Sequence, residues 1–276
     1  VPNLKVMPQE TCLLELPFPK LEDRSAEYCV NVYAIANEDY SLIKKGHVLA
    51  AEQFVLPCLN KLSAFAENGE VKVVENGNRV SVQGRDVMLE FDRETGKLIS
   101  YQVNNKEILV NGLEANFWRP GTDNDFGSEY IIPECIGWKG AASQAKLVNF
   151  DVKQQGKFVE IRTDFELKKM NTTYQLCYRL NGMGEMEVRY HVDARNCTSE
   201  LIPRVGLTWQ LVPDFTRVEW YGRGPRENYI DRCSGAFVGR YECPVEDWYV
   251  PYARPQENGN RTDIRRMRLE SDDLGL

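Results

Sequence analysis

The sequence predicts an antiparallel, all-β protein, and three observations lead to that prediction. Apolar and polar residues alternate over short stretches in most of the chain, as they do in half-buried strands. Turn residues, mainly Gly and Asn, recur between these stretches about every ten residues. No long helical period recurs, so helices are expected only as minor elements. The 276 residues are 42% hydrophobic and 11% aromatic, which is enough for a large packed core and excludes global disorder.

The first predicted strands lie in residues 29–56. CVNVYAIAN (Cys29 to Asn37) and VLAAEQFVL (Val48 to Leu56) both alternate, and the stretch between them has Gly46 as its turn. These strands are too few to close a sandwich alone. We therefore expect residues 1–58 to form an incomplete β-sandwich.

A second and longer β-domain is predicted from residue 59 to residue 276. VKVVENGNRVSVQGRDVMLEFDRETGKLISYQVNNKEILV indicates four strands separated by three turns. Further strands are predicted in LVNFDVKQQGKFVEIRTDFEL, in TTYQLCYRLNGMGEMEVRYHVDA and in RVGLTWQLV. RTDIRRMRL near the end predicts another strand, with its arginines on a solvated face. PECIGWKGAAS is the one segment predicted to hold a short helix.

Charge and cysteine spacing exclude several function classes. With 34 basic and 41 acidic side chains the formal net charge is −7, which argues against a nucleic-acid partner. The apolar runs are too short to cross a bilayer, so no membrane partner is expected. The eight cysteines never form C-x-x-C, so a zinc site is not indicated.

The stretch RPGTDNDFGSEY, residues 119–130, concentrates hydrogen-bonding side chains around two glycines. It is either a loop that satisfies its own backbone through Asx turns or a paired-carboxylate glycosidase centre formed by Asp123 and Asp125, although one short loop does not guarantee the separation that such a centre needs. A calcium loop of the EF-hand kind is not indicated, because its sixth position holds Ser128 where glycine is needed and no flanking helices are predicted. The residues alone do not decide between the other two interpretations.

Two further features have structural interpretations. GRGPRENYIDR, residues 222–232, favours an ion-pair and turn network that ties two strands together, with a polar ligand site as the alternative. His47 and His191 have no Ser, Cys or carboxylate partner at a recognisable spacing, so neither is expected to be catalytic.

Several of these motifs resemble one family. FWRPGTDNDFG, WYGRGPRENYIDR, YVPYARPQENGNRTDIRRMRL and WKGAA are similar to blocks of the large β-galactosidases of glycoside hydrolase family two. VNVYAIANEDYSLIKKGHVLAAEQFVL resembles the end of the domain that precedes the last one in that family. The blocks occur in family order and cover nearly the whole chain.

The resemblance implies a two-part fold. Residues 1–58 would be part of an immunoglobulin-like β-sandwich. Residues 59–276 would be most of an antiparallel β-supersandwich similar to galactose mutarotases. The last residues, RLESDDLGL, show no closing strand, so we expect this domain to be incomplete at its C-terminus.

The resemblance also implies a function. In the family, two glutamates of a (β/α)8 barrel hydrolyse terminal β-galactosides with retention. We therefore expect no catalytic residue, metal or cofactor in this chain, and any Mg²⁺ or Na⁺ would belong to the parent enzyme. The expected partners are the barrel and other domains of the same polypeptide, the β-galactoside and further copies of the parent, in the cytoplasm or periplasm of a bacterium.

The resemblance assigns the 119–130 stretch to the rim of the active site. Asp123, Asn124 and Asp125 would shape the base of a mobile loop, and Gly127, Ser128 and Glu129 would form the loop itself. Two alternatives remain. The chain is a stand-alone sugar-binding or aldose-mutarotase-like module, or it is a spacer with a purely structural role.

Overall fold

A computed structural model describes residues 6–17, 20–21, 23, 25–57 and 65–272. The chain divides into two compact units, Val1–Leu62 and Ser63–Leu276. The predicted domain boundary between residues 58 and 59 and the C-terminal residues 273–276 lie outside the described residues.

The first unit contains one antiparallel strand pair. Strand β1 (Cys29–Ile35) pairs with β2 (Val48–Val55), with Val30 opposite Phe54 and a bulge at its end. The turn that precedes β2 contains Gly46 at φ +89°, a left-handed conformation that glycine adopts without strain. The two strands predicted in residues 29–56 are confirmed.

The second unit is built from antiparallel sheets, as predicted. A five-stranded sheet comprises β3 (Lys72–Asn76), β4 (Arg79–Gln83), β5 (Val87–Asp92), β6 (Lys97–Val103) and β7 (Lys106–Glu107). A four-stranded sheet comprises β9 (Lys146–Gln155), β10 (Phe158–Leu167), β11 (Thr172–Asn181) and β12 (Met186–Asp193). The all-β prediction is confirmed.

Two smaller sheets complete the second unit. β8 (Leu109–Asn116) pairs with β13 (Gly206–Leu211). β14 (Arg217–Gly224) lies between β15 (Phe237–Pro244) and β16 (Arg266–Glu270). These two sheets position the candidate site, because its segments follow or precede their strands.

The core of the second unit lies beneath the five- and four-stranded sheets. The side chains of β10 and β11 alternate between buried and partly exposed positions, as expected for strands with one face on a core. The rings of Phe165 and Tyr174 stack at 4.7 Å, and Phe91 meets Tyr178 edge to face at 5.0 Å. Aromatic burial of this kind contributes strongly to the stability of a β-domain.

One predicted strand proved to be two. The stretch from Arg79 to Asp92 is interrupted between β4 and β5, where Gly84 approaches another segment of backbone. A Cβ at Gly84 would lie 2.9 Å from the carbonyl oxygen of Asn181. Only glycine allows this close approach, and the chain changes direction there.

The helical prediction was partly wrong. The segment predicted to be helical contains most of α2 (Ile131–Cys135) and the 3₁₀ turns at Ile136–Trp138 and Ala142–Gln144. The prediction missed α1 (Asp123–Gly127), which lies inside the stretch interpreted as a loop. Five residues are too few to show a helical period, so only the capping residues could have indicated this helix.

The strand predicted for RTDIRRMRL was also wrong in its first half. β16 begins only at Arg266, and Asp263 has φ +53°, which ends any extended run. Arg261 lies over the ring of Trp248 at 4.5 Å and is not on a solvated face. Stacking on tryptophan overrode the alternating pattern here.

In the described residues, no helix is long and apolar enough to span a membrane.

Candidate functional site

The candidate site begins where β8 ends. Asn116, the last residue of β8, pairs with Gly206 at the start of β13, so antiparallel pairing brings the residues after β8 beside those before β13. Phe117 is buried and packs on the ring of Trp138 at 5.2 Å. The chain is thus anchored two residues before Arg119, whose Nε donates to the carbonyl oxygen of Pro203 at 3.2 Å.

Helix α1 is set by a capping box. The hydroxyl of Thr122 accepts the N–H of Asp125 at 3.3 Å, and the carboxylate of Asp125 accepts the N–H of Thr122 at 2.8 Å. This reciprocal pair satisfies two backbone donors that the helix itself leaves unpaired. The helix therefore starts at Asp123.

An ion pair fixes α1 to the end of β8. The guanidinium of Arg119 donates from Nη1 to Oδ2 of Asp125 and from Nη2 to Oδ1 at 3.3 Å. Asp125 is 7% exposed, and burial alone would raise its pKa; the bonds from Arg119 and Thr122 instead hold that pKa below its ordinary value. Asp125 is therefore an ionised anchor at neutral pH.

A second wall of the site is held by Glu227. Its side chain is 6% exposed, and its carboxylate accepts from Arg232 Nη2 at 2.6 Å, from the Tyr252 hydroxyl and from the N–H of Gly259 at 2.6 Å. Burial alone would raise the pKa of Glu227, but these three bonds lower it. Glu227 thus ties the 225–232 segment to residues 252–259.

Asn228 makes a second tie between the same segments. It is 1% exposed, and its Oδ1 accepts the N–H of Thr262 at 2.9 Å and the hydroxyl of Thr262 at 2.6 Å. Its backbone N–H donates to Asn260 O, and the Asn260 side chain returns a bond to Asn228 O, both at 2.8 Å. Arg223 adds an ion pair to Asp263 at 2.6 Å. The network predicted for GRGPRENYIDR is confirmed in part: it includes Arg223, Glu227 and Arg232, and it ties the segment to the loop 252–263 and not to a second strand.

A cleft of about 520 Å³ lies between these walls. Gln256 spans it at one end, accepting the N–H of Asp123 at 3.2 Å and donating to the Asp123 carboxylate at 3.4 Å. Arg204 donates to Glu257 in the same region. The cleft is lined by residues from four segments: Arg119, Thr122, Asp123, Asn124, Asp125, Pro203, Arg204, Tyr229, Ile230, Asp231, Arg232, Tyr252, Gln256, Glu257 and Asn260.

The predicted site residues fall into two groups. Asp123, Asn124 and Asp125 line the cleft. Gly127 ends α1, and Ser128 and Glu129 follow it without lining the cleft. The Ser128 hydroxyl accepts the backbone N–H groups of Tyr130 and Ile131, each at 3.3 Å. In this conformation Ser128 therefore stabilises the start of α2. Glu129 is exposed.

Sequence reasoning missed several cleft residues. Tyr229 and Arg232 belong to GRGPRENYIDR, for which a structural network was favoured and a polar ligand site was the alternative, and Tyr252 belongs to a motif used only for the family resemblance. The structure gives the same segments both roles, because the network that ties them together also forms the cleft wall. Arg204 lies in a strand-leading PRVGL stretch, where no local pattern distinguishes it.

The remaining candidates for chemistry lie elsewhere. His47 and His191 are both exposed, and neither lines the cleft. Among the residues that the structure describes, no group of three or more His, Cys, Asp or Glu side chains is arranged to hold a metal ion. The cleft is therefore a polar recess whose charged groups are mostly paired with each other.

Comparison with known proteins gives the chain its family. Residues 83–275 match the family model described as β-galactosidase small chain, and residues 1–57 match β-galactosidase, domain 4. A β-galactosidase of Priestia megaterium is 32% identical over 98% of this chain and 26% of that protein. One from Vibrio cholerae is 31% identical over 96% of this chain and 27% of that protein.

A third relative agrees. The β-galactosidase of Halalkalibacterium halodurans is 30% identical over 96% of this chain and 26% of its own length. The chain thus spans about a quarter of the length of the curated relatives that it matches. The matched family model covers more than half of the chain, and on that ground the chain belongs to the β-galactosidase small-chain family.

Proposed function

We propose that this chain is the non-catalytic C-terminal portion of a retaining β-galactosidase. The observation that carries the proposal is the family match over residues 83–275, together with relatives that are about four times as long as the chain. The parent enzyme would hydrolyse terminal β-galactosides. This portion would contribute the rim of the active site and contacts with the rest of the polypeptide.

The chemistry of the cleft supports a non-catalytic role. A glycosidase needs a carboxylic acid whose pKa is raised, so that it can protonate the leaving group at neutral pH. Asp125 and Glu227 have lowered pKa values, and Glu257 is paired with Arg204. Groups that stay ionised and engaged in this way suit a scaffold and not a general acid.

The hydrolytic chemistry itself would occur outside the chain. Two glutamates on a barrel domain would act as nucleophile and as acid/base in a double displacement that retains the anomeric configuration. Any Mg²⁺ or Na⁺ that the parent requires would be bound by that part as well. Residues of this chain would bound the space in which the galactoside moves.

The segment that starts with α1 is suited to a mobile rim. Its base is anchored by Arg119, by the capping box and by Gln256. Gly127 lies beyond these anchors. A Cβ added to it would meet no atom within 4 Å, and its φ is not left-handed, so a larger residue would not be strained there. Because the observed conformation does not require glycine at this position, we infer that glycine is needed in a second conformation of the loop.

The alternative of a mutarotase-like module has less support. Such chemistry needs a histidine and a carboxylate around the sugar ring, and both histidines are exposed and outside the cleft. Polarimetry distinguishes the two functions. The 276-residue chain is expected to leave the rate of interconversion of galactose anomers unchanged.

The rim role is tested by kinetics of the complete parent polypeptide. Gly127→Ala is expected to change kcat or KM for a nitrophenyl β-galactoside by at least about threefold, because it restricts the loop. Gly235→Ala is a matched control, since a Cβ added to Gly235 would also meet nothing within 4 Å and Gly235 has no left-handed φ. Unchanged kinetics for Gly127→Ala would contradict the rim role.

A further inference from the structure

Among the described residues of the second unit, the most exposed large hydrophobic side chain lies beside the cleft. Ile230 is 93% exposed, whereas the next such residue in the described range 65–272, Tyr249, is 63% exposed. Ile230 lines the same cleft as Asp123 and Asn124. A solitary exposed apolar residue is common on protein surfaces. Only its local conformation can therefore indicate whether the exposure of Ile230 has a function.

Ile230 occupies the tip of a tight turn. The N–H of Arg232 donates to the carbonyl oxygen of Tyr229 at 2.9 Å, which leaves Ile230 and Asp231 as the two central residues. Glycine, asparagine, aspartate and proline are the residues that such turns favour. A β-branched apolar residue at the tip neither favours the turn conformation nor packs in the core. Residues that depart from local sequence preferences in this way concentrate at functional surfaces.

The turn is held rigidly at both ends. Arg232 is bound to Glu227 at 2.6 Å and to the Tyr252 hydroxyl at 3.1 Å. The Arg232 guanidinium lies 4.7 Å from the ring centroid of Tyr229, at the other end of the turn. Because the turn is already ordered, binding of a partner to Ile230 would cost little additional conformational entropy.

The surroundings of Ile230 indicate the chemistry of its partner. The neighbouring carboxylate of Asp231 has no hydrogen bond or ion pair in the part of the chain that the structure describes. The complementary surface would offer an apolar recess for Ile230 and hydrogen-bond donors for Asp231 and Asn124. A protein surface provides this combination, whereas a sugar offers no aliphatic recess, and the net charge of −7 opposes an anionic membrane.

We infer that the Ile230 turn and the adjoining cleft form the docking surface for the catalytic portion of the same β-galactosidase. This inference rests on the proposed function. The relatives continue to about four times the length of this chain, so a partner of the required size belongs to the same protein. The 123–125 segment at the proposed active-site rim lines the same cleft, so docking here would bring that rim to the substrate.

Hydroxyl-radical footprinting tests the inference with unmutated proteins. The oxidation rate of the Ile230 side chain is measured in the 276-residue chain and in the complete parent polypeptide. Burial in an interface is expected to lower the rate in the parent by at least about fivefold. Val74, 60% exposed on β3, is the matched control and should be oxidised alike in both.

The other outcomes overturn the inference. Equal oxidation of Ile230 in both proteins would mean that nothing covers the turn. Protection that appears in the 276-residue chain as its concentration rises would identify a second copy as the occupant. If the parent hydrolyses galactosides while Ile230 stays accessible, the proposed function stands and only the docking surface is rejected. If Ile230 is protected in a parent that hydrolyses no galactoside, another part of the parent covers the turn, and both the proposed function and a catalytic portion as the occupant are rejected.

Discussion

The guanidinium of Arg119 holds both carboxylate oxygens of Asp125, six residues further along the chain. The same carboxylate caps α1, so one buried group connects the end of β8 to the segment proposed at the active-site rim. Removing either side chain leaves the other partly buried without its counter-charge, and that cost exceeds the net value of the bond itself.

Asp125→Asn is therefore expected to destabilise the chain by about 1–3 kcal/mol, measured by urea unfolding followed through tryptophan fluorescence. Arg195→Met is the control, because Arg195 forms an ion pair with Asp193 while its side chain is 85% exposed. The control should unfold at the urea concentration of the unmodified chain. Equal midpoints for Asp125→Asn and the unmodified chain would show that the anchor is dispensable.

Acid should weaken the cleft walls before it weakens the core. Asp125 and Glu227 have lowered pKa values in the folded chain. Their contribution is complete above the unfolded carboxyl pKa of about 4 and is lost as the pH falls through the folded values. Unfolding free energy should therefore drop below about pH 4, and less steeply in Glu227→Gln than in the unmodified chain. Parallel pH profiles for the two proteins would argue against this assignment.

Two glycines should respond oppositely to alanine. At Gly127 an added Cβ meets no atom within 4 Å, so Gly127→Ala is expected to be neutral or to stabilise by up to about 1 kcal/mol through the unfolded state. At Gly112 the added Cβ would lie 1.9 Å from the carbonyl oxygen of Leu98. Gly112→Ala should therefore destabilise severely. Thermal midpoints of the two variants measure the contrast, and similar midpoints would refute it.

Asn228 should be the most sensitive polar residue of the cleft wall. It is 1% exposed and its Oδ1 satisfies both the N–H and the hydroxyl of Thr262. Asn228→Ala leaves these partly buried donors without an acceptor, at an expected cost of about 2–3 kcal/mol, and amide hydrogen exchange should accelerate across residues 259–262. Asn149→Ala, at an exposed asparagine bonded to Asp164, should leave that segment protected. Unchanged exchange in Asn228→Ala would show that Asn228 does not hold this segment in place.

The sequence predicted the strands well because their signals are local. Alternation between Cys29 and Leu56 and the turns around Gly77 and Gly96 depend on neighbouring residues, and the structure follows them. The break at Gly84 depends on contact with Asn181, almost a hundred residues away, and no local pattern signals it. Arg261 shows the same limit, because Trp248 decides its position.

The candidate site was predictable only as separate motifs. Asp123, Asn124 and Asp125 drew attention through composition, and their place beside Gln256 follows from pairing between distant segments. Arg119 and Arg204 gained meaning only when β8 and β13 brought their segments together. Ile230 carried no signal at all, since exposure at a turn tip is a property of the folded chain.

The decisive measurement is the hydrolysis of a nitrophenyl β-galactoside by the complete parent polypeptide and by the 276-residue chain, assayed side by side. We expect the parent to release nitrophenol and the chain alone to release none above the buffer rate. Hydrolysis by the chain alone would contradict the non-catalytic assignment, and an inactive parent would contradict the β-galactosidase function.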